Sequence, residues 1–200
     1  MKRLVVASGN PGKLAEIGAL LAPLSIEVIA QSALGIAEAE EPHGTFLENA
    51  LAKARHASRA SRLPALADDS GLCVDALGGE PGVHSAYYAG REGTRGERDA
   101  RNNAKLLGAL GDERAAHYVC VLVLLRHADD PRPVVAEGLW HGEIARAPRG
   151  ANGFGYDPLF YVAALGKTAA ELEPAEKNRI SHRSQAFAKL LALLKHADFS

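Results

Sequence analysis

Two adjacent carboxylates, Asp68 and Asp69, follow the apolar residues 66–67 in the segment ADDSGL. Neighbouring like charges repel unless a cation or hydrogen bonds compensate them, and a divalent metal is the economical compensation. Mg²⁺ binds a few carboxylates and keeps water and phosphate oxygens as its other ligands, so Glu40 or Glu41 is a candidate to complete the site. The alternative is an Asp-rich turn in which Asp68 caps the turn and Asp69 faces solvent.

The segment SGNPGK at residues 8–13 is a candidate phosphate-binding turn. A turn between an apolar strand and a helix N-terminus offers backbone N–H groups and a positive dipole end to an anion, and Lys13 adds a charge. The Walker pattern is excluded because too few residues separate Gly9 from Gly12 and because Leu14 replaces the metal-binding hydroxyl. The turn therefore either binds phosphate in another way or only reverses the chain.

Aromatic residues and hydrogen-bond donors follow near the C-terminus, in GFGYDP at 153–158, at Lys177, and in SHR at 181–183. A ring between glycines is accessible to a flat ligand, and stacking of a base on such a ring contributes about 1–3 kcal/mol. The alternative to a ligand-binding role is a structural one, in which Phe154 and Tyr156 are core residues and the serine of SHR is a helix N-cap. Cationic side chains in a first helical turn oppose the helix dipole, which favours an anion or a carbonyl oxygen there.

The pattern of apolar residues predicts an α/β fold with a mixed sheet, because strands and helices alternate along the whole chain. Its strand order is not readable. The predicted strands are residues 3–7, 27–30, 66–67, 72–76, 118–125 (the central strand) and 134–140, with a turn at 68–71. The predicted helices begin after Asn10-Pro11, run from Thr45 to about Arg62 and from Glu97 to Leu110, and carry Phe187, Leu190, Leu191 and Leu194 at the C-terminus.

Two of these helices have recognisable faces. In the helix that starts at Thr45 with Glu48 as capping box, the apolar stripe is Leu47, Ala50, Leu51 and Ala54, and a polar face with one cation holds Thr45, Asn49, Lys53 and His56. In the next helix the apolar side is Ala100, Asn103, Ala104, Leu107 and Leu110. Asn103 is the weak point of that stripe.

Charge and composition exclude several classes of protein. The chain has 200 residues, 47% of them hydrophobic, and its 23 basic and 24 acidic side chains give a net charge of −1. No global field would draw it to nucleic acid or to an anionic membrane. The apolar run at 118–125 is too short to span a bilayer. We expect one folded unit in the cytoplasm, with no nucleic-acid or membrane partner and with buried, reduced thiols at Cys73 and Cys120.

Five segments in order, SGNPGK, TFLENALAKA, ADDSGL, GFGYDP and SHR, resemble the inosine triphosphate pyrophosphatase (Ham1-like) family over nearly the whole chain. The resemblance implies Mg²⁺-dependent hydrolysis of ITP, dITP and XTP to the monophosphate and pyrophosphate, which keeps deaminated purines out of DNA and RNA. It also implies a homodimer and a single domain over residues 1–200, with an elongated central sheet flanked by helices and two lobes around one nucleotide cleft.

The same resemblance assigns roles to residues of this chain. The phosphate tail would be held by Ser8, Gly9, Asn10, Pro11, Gly12 and Lys13, and Lys53 would reach the same phosphates. Asp69 with Glu41 would hold Mg²⁺, and Asp69 is also the family's proton acceptor. Ser70 would contact the nucleotide. The base pocket would be formed by Phe154, Gly155, Tyr156 and Asp157, with Lys177, His182 and Arg183 as donors.

Elementary chemistry agrees with these roles. Cleavage between the α- and β-phosphates needs an activated water and cations on the departing pyrophosphate, which makes Asp69, Lys53 and Lys13 the catalytic candidates. Because a metal-bound carboxylate is a weak base, we expect Asp69 mainly to position the water. Donors facing the C6 oxygen of hypoxanthine would disfavour adenine by as much as ~10⁴-fold. The residue that excludes guanine is not apparent, and Tyr87 stands where the resemblance predicts arginine.

Three other functions compete with this one. A septum-inhibitor-like (Maf-like) nucleotide pyrophosphatase would use the same kind of cleft, and pyrophosphate release from uridine rather than inosine triphosphate would identify it. A catalytically silent nucleotide-binding protein is disfavoured by the intact set Lys13, Lys53 and Asp69. A nucleic-acid-binding module is weakest, because no basic stripe interleaved with aromatic residues is present.

Overall fold

The computed structural model describes residues 2–24 and 26–195, and among these residues seven strands form one sheet. The strands are β1 (Arg3–Ala7), β2 (Glu27–Ala30), β3 (Ala65–Val74), β4 (Ala115–Leu125), β5 (Val134–Ile144), β6 (Phe160–Val162) and β7 (Lys167–Thr168). They lie in the order β2-β1-β3-β4-β5-β6-β7. Strand β1 pairs in parallel with β2 and β3, whereas β6 pairs antiparallel with β5 and β7. The predicted α/β class with a mixed sheet is confirmed.

Local signals explain where the helices start. The α-helices are α1 (Pro11–Leu21), α2 (Phe46–Ser61), α3 (Arg95–Ala109), α4 (Pro174–Ile180) and α5 (His182–Lys195). The side chain of Asn10 accepts from the Lys13 N–H ahead of a proline at the first helical position. Thr45 caps α2 in the same way, and Thr94 forms a full capping box at the start of α3. Helix α3 therefore begins slightly before the predicted Glu97.

Strand β4 occupies the middle of the sheet, as its apolar sequence predicts. Every residue from Tyr118 to Leu125 is buried. A strand buried on both faces reads as a continuous apolar run, and this explains why the segment is recognisable from sequence. Strand β5 is also confirmed, but it continues beyond Trp140 to Ile144.

The predicted turn at residues 68–71 is wrong, because β3 runs without interruption from Ala65 to Val74. Asp68 and Asp69 are buried, with 1% and 6% of their surfaces exposed, so the interpretation as a solvated Asp-rich turn is also wrong. Successive side chains on a strand point to opposite faces, and the two carboxylates therefore diverge. Each carboxylate pairs with its own lysine, Asp68 with Lys13 and Asp69 with Lys53, so no turn is needed to separate their charges.

Helix α3 buries only part of the predicted face, since Leu107 and Leu110 pack on the core of unit 2 but the alanines do not. Ala100 and Ala104 are exposed, and Asn102 and Leu106 are buried instead. The Asn102 amide is tolerated there because its oxygen accepts from the Ala89 N–H at 2.7 Å and its nitrogen donates to backbone carbonyls of residues 85 and 86. In α2, likewise, the apolar stripe starts only at Ala50, since Leu47 is exposed.

The described chain divides into two compact units. Unit 1 comprises the described residues up to Asp69, residues Cys120–Gly138 and the described residues from His182 onward. Its core includes Leu4, Val6, Ile17, Leu66, Leu122 and Phe187. Unit 2 comprises Ser70–Val119 and Leu139–Ser181. Its core includes Leu72, Leu106, Tyr118, Trp140, Phe160 and Leu172.

Two further expectations concern the thiols and membranes. Cys120 is buried and Cys73 half-buried, both are free, and burial raises the pKa of each thiol. Of the helices in the described ranges, none is both long and apolar enough to cross a membrane.

Candidate active site

The candidate phosphate turn connects β1 to α1 in unit 1. The Asn10 N–H donates to Ser8 Oγ and the Lys13 N–H donates to Asn10 Oδ1, both at 3.2 Å. These bonds fix residues 8–13 at the N-terminus of an 11-residue helix, where backbone dipoles favour an anion. A Cβ at Gly9 would meet only the carboxylate end of the exposed Glu38 side chain, which is free to move aside. The turn is at least partly exposed along its whole length.

Lys13 turns its side chain toward Asp68. Its Nζ lies 2.5 Å from Asp68 Oδ1, while Asp68 Oδ2 accepts from Arg183 Nε and Cys120 Sγ, each at 3.2 Å. Burial by itself would raise the pKa of the Asp68 carboxyl, but the cations of Arg183, Lys13 and Lys53 lower it far below its usual range. Asp68 is therefore the buried, ionised centre of a cationic cluster.

Lys53 forms a second cluster on α2 with the other carboxylate of the pair. Its Nζ donates to Asp69 Oδ1 and to Glu41 Oε1, both at 2.7 Å. Burial opposes the charge of Lys53, but the carboxylates of Asp69, Glu41 and Asp68 outweigh burial and raise its pKa. Burial raises the pKa of Asp69, against the opposing effect of Lys53 and Lys13. Asp69 Oδ2 is buried and has no hydrogen-bond partner among the described residues.

The geometry of Glu41 and Asp69 fits a divalent cation. Both carboxylates already converge on one positive charge, the Lys53 ammonium, and Asp69 Oδ2 is a spare acceptor. Within residues 2–24 and 26–195, no group of three or more His, Cys, Asp or Glu side chains could hold a metal ion. Two carboxylates suit Mg²⁺, which completes its shell with water and substrate oxygens. Glu40 and Glu41 are both exposed, and the contact with Lys53 favours Glu41.

Arg183, predicted as a base donor, lies fully buried at the start of α5. Its guanidinium pairs with Asp68 and, in a very close contact, with Glu16 on α1. Sequence reasoning missed Glu16, because a charged residue on a helix is usually solvated and nothing nearby signals a buried partner. His182 is also buried. The role of both residues toward a base stays a prediction.

The candidate base loop, residues 153–157, belongs to unit 2 and is held by Asp157. Asp157 Oδ2 accepts from the Phe154 N–H at 2.9 Å and from Lys177 Nζ at 2.6 Å, and Tyr118 Oη lies 3.3 Å from Oδ1. Asp157 and Lys177 are both buried. Because the ion pair is also hydrogen-bonded to the loop backbone, it fixes the position of the loop.

The two aromatic residues of the loop have different environments. Tyr156 is a core residue whose hydroxyl donates to the Ser85 carbonyl at 2.9 Å, and burial raises its pKa. Phe154 is only partly buried, with Lys177 Nζ 4.8 Å and the Arg95 guanidinium 5.0 Å from its ring centre. Phe154 is therefore the better candidate for contact with a flat ligand.

Tyr87, where the resemblance predicts arginine, lies beside two arginines. The guanidinium of Arg91 is 4.3 Å and that of Arg98 is 5.6 Å from the centre of its ring. Cation–π attraction therefore keeps positive charge at this place although residue 87 carries none.

Comparison with known proteins identifies the family of this chain. The model of the Ham1 family matches residues 4–193. The chain belongs to the Ham1 family. It is 64% identical over 197 residues to the dITP/XTP pyrophosphatase of Ralstonia nicotianae, which covers 98% of each chain. It is 61% identical over 200 residues to that of Nitrosomonas europaea, with 99% of this chain and 97% of the relative covered.

A solved structure has the same Ham1-family fold. The HAM1 protein from Coxiella burnetii superposes with a TM-score of 0.89 at 49% identity, over 98% of this chain and 100% of that one. The resemblance drawn from the five sequence segments is thus confirmed. In the structure, SGNPGK and TFLENALAKA belong to unit 1 together with Asp68, Asp69, His182 and Arg183, whereas GFGYDP and Ser181 belong to unit 2.

Proposed function

We propose that this chain hydrolyses dITP, XTP and ITP to the nucleoside monophosphate and pyrophosphate, and so removes deaminated purine nucleotides from the pool used for DNA and RNA. Relatives at 61–64% identity over nearly the whole chain carry the name dITP/XTP pyrophosphatase. The observation that carries the proposal is the pairing of Lys13 and Lys53 with the acidic residues Asp68, Asp69 and Glu41 beside a helix N-terminus.

The phosphate tail would bind at residues 8–13. The N-terminus of α1 offers backbone dipoles, and Lys13 and Lys53 are long enough to exchange a carboxylate for a phosphate oxygen. Charge develops on the pyrophosphate leaving group as the bond to the α-phosphorus breaks, so cations on that group lower the barrier. Lys13 and Lys53 would supply this stabilisation.

Glu41 and Asp69 would hold Mg²⁺. When bound, Mg²⁺ supplies positive charge to the phosphate oxygens and lowers the pKa of a coordinated water. Asp69 positions the attacking water, because its Oδ2 is a buried acceptor without a partner among the described residues. Ser70, the next residue on β3, would contact the nucleotide.

The base would be recognised by Phe154, Gly155, Tyr156 and Asp157, with Lys177, His182 and Arg183 as donors. Hypoxanthine and xanthine carry an acceptor oxygen at C6, where adenine carries an amino donor. Donors in the pocket would pair with the oxygen and would be left unpaired by adenine, which is the strongest form of discrimination available to a binding site.

Family resemblance further supports a homodimer acting in the cytoplasm and a single domain over residues 1–200. Light scattering on the purified chain would measure twice the monomer mass if the dimer forms. A monomer mass throughout the working concentration range would overturn this part of the proposal.

A panel of triphosphates tests the activity. Pyrophosphate and orthophosphate are measured separately for dITP, XTP, ITP, dGTP, dATP and UTP, with Mg²⁺ and with a chelator. We expect pyrophosphate from dITP, XTP and ITP in Mg²⁺ and none after chelation. Preferential turnover of UTP would favour the septum-inhibitor-like class, and binding of ITP without turnover would favour a silent binding protein.

A further inference from the structure

Helix α3 holds the candidate base loop at one residue, Gly155, from both of its backbone polar groups. The Gly155 N–H donates to Asp99 Oδ2 at 3.0 Å, and Asn103 Nδ2 donates to the Gly155 carbonyl at 3.0 Å. Asp99 and Asn103 are four residues apart, so they lie on one face of the helix. Gly155 has a φ of +63°, in the left-handed region that favours glycine.

This double contact fixes the peptide planes on either side of Gly155. The preceding plane contains the Phe154 carbonyl, so its orientation sets the direction in which the Phe154 ring leaves the backbone. Arg95, one turn earlier on α3, lies 3.8 Å from Asp99 and places its guanidinium 5.0 Å from the centre of the Phe154 ring. One stripe of α3 thus controls both the loop backbone and the surroundings of its accessible aromatic ring.

Stability alone does not explain the amide of Asn103. A carbonyl can only accept, so Nδ2 must face Gly155, and Oδ1 is then buried with no hydrogen-bond partner among the described residues. A buried, unpaired amide oxygen is unfavourable. Leu107 and Leu110, on the same helix, pack on the core of unit 2. An apolar side chain at position 103 would also pack there.

We propose that Asp99 and Asn103 are positioning residues for recognition of the purine base: they hold Gly155 so that Phe154 meets the base in a fixed orientation. This inference rests on the proposed function, and neither residue need touch the substrate. It separates base recognition, which depends on the α3 contacts, from phosphate binding, which depends on Lys13 and Lys53.

The test compares Asn103→Leu and Asp99→Ala with the wild-type chain, using dITP and XTP as substrates and inorganic pyrophosphate as an inhibitor without a base. We expect KM for both nucleotides to rise about 10-fold, the effect of losing one well-formed hydrogen bond in a positioning network. We expect kcat to change less than about threefold, because the lost interaction stabilises the bound substrate and the transition state equally. Inhibition by pyrophosphate should stay the same, because pyrophosphate has no base. Arg101→Ala is the matched control, since Arg101 lies on the same helix but contacts the Glu92 carbonyl.

Two further measurements separate positioning from a merely structural role. Asn103→Leu removes the unpaired oxygen, so its melting temperature should equal or exceed that of the wild type while its KM rises. Asp99→Asn keeps an oxygen acceptor of the same shape, and it should recover a KM near the wild-type value. If Asp99→Ala does not fold, Asp99→Asn is compared with Asn103→Leu instead. A lower KM in Asp99→Asn then shows that the retained acceptor oxygen still holds Gly155.

Three outcomes overturn the inference: an unchanged KM in folded Asn103→Leu, a parallel weakening of pyrophosphate inhibition, or an equal rise of KM in Arg101→Ala. The wild-type chain is assayed first. If it releases no pyrophosphate from dITP or XTP, the proposed function fails and this inference fails with it. If the wild type is active and the variants match it, only the inference about α3 fails.

Discussion

Lys53 donates a 2.7 Å hydrogen bond to Asp69 Oδ1, and the same ammonium lies 2.7 Å from Glu41 Oε1. The lysine therefore pairs with both carboxylates that are the candidate ligands of a divalent cation. A metal and an ammonium would compete for the same charge, so under the proposed function binding of Mg²⁺ by Glu41 and Asp69 would favour release of Lys53. The released lysine would then be available to a phosphate group.

Substitution Lys53→Met should change metal affinity and rate in opposite ways. Without the competing ammonium, the Mg²⁺ concentration for half-maximal activity should fall. The maximal rate should also fall, by about 10²-fold, because one cation on the leaving group is lost. Both quantities come from pyrophosphate release measured across a Mg²⁺ titration.

Lys189→Met is the control for Lys53→Met, because Lys189 is an exposed lysine on α5. It should leave both quantities unchanged. A higher Mg²⁺ requirement in Lys53→Met would show that the lysine supports the metal site and does not compete with it.

Substitution Asp69→Asn should remove most activity while the fold persists. The amide keeps the shape of the side chain but loses the charge that would bind Mg²⁺ and orient water, and a positioned acid or base contributes about 10²–10⁴-fold. The measurement is turnover of dITP at saturating Mg²⁺. Asp75→Asn, at an exposed acid just after β3, is the control and should be fully active. Near-normal turnover in Asp69→Asn would remove the residue from the mechanism.

Substitution Asp68→Asn, one residue away, should act on stability first. Asp68 is completely buried between Lys13 and Arg183, and removal of one partner leaves buried charge uncompensated. We expect the free energy of unfolding to fall by about 3–5 kcal/mol. Urea unfolding of the two isosteric variants, Asp68→Asn and Asp69→Asn, provides the comparison. Equal unfolding midpoints would contradict the distinct roles of the adjacent carboxylates.

Elements with local causes were predictable from the sequence. The caps at Asn10 and Thr45 act within a few residues, and β4 is recognisable because burial on both faces leaves a continuous apolar run. The continuity of β3 through ADDSGL was not predictable, because it depends on cations that come from distant positions. Lys13 and Lys53 neutralise one carboxylate each, and only the tertiary fold places them there.

The residues of the candidate site also divide into those that were predictable from the sequence and those that were not. Asp68, Asp69 and Lys13 were predicted from residue type, and the roles of Lys53 and Glu41 were implied by the family resemblance. The structure brings Glu41, Lys53 and Asp69 together. Glu16, Asp99 and Asn103 were missed as functional candidates, because their partners are a buried guanidinium and the backbone of a remote loop. The polar interruption of an apolar stripe at Asn103 was the one signal in the sequence.

Asp130, between β4 and β5, carries a pH dependence that is separate from the active site. The carboxylate is buried and accepts from the backbone N–H, Nε and Nη2 of Arg126 and from the Arg132 N–H, at 2.5–3.0 Å. Hydrogen bonds from the Arg126 side chain are the main cause that lowers the pKa of Asp130, against the opposing effect of burial. The ionised form is therefore the one that the folded state favours.

Substitution Asp130→Asn should lower the free energy of unfolding by about 1.5–3 kcal/mol at neutral pH, the usual value of hydrogen bonds to a charged group. Because the folded-state pKa lies below the ordinary value of 3.8, this stabilisation is present above that pH and is lost as the pH falls through the folded-state pKa. The difference between wild type and variant should therefore shrink in acid. Urea unfolding at neutral pH and at about pH 3 measures this difference, and a difference that is independent of pH would contradict the charged role of Asp130.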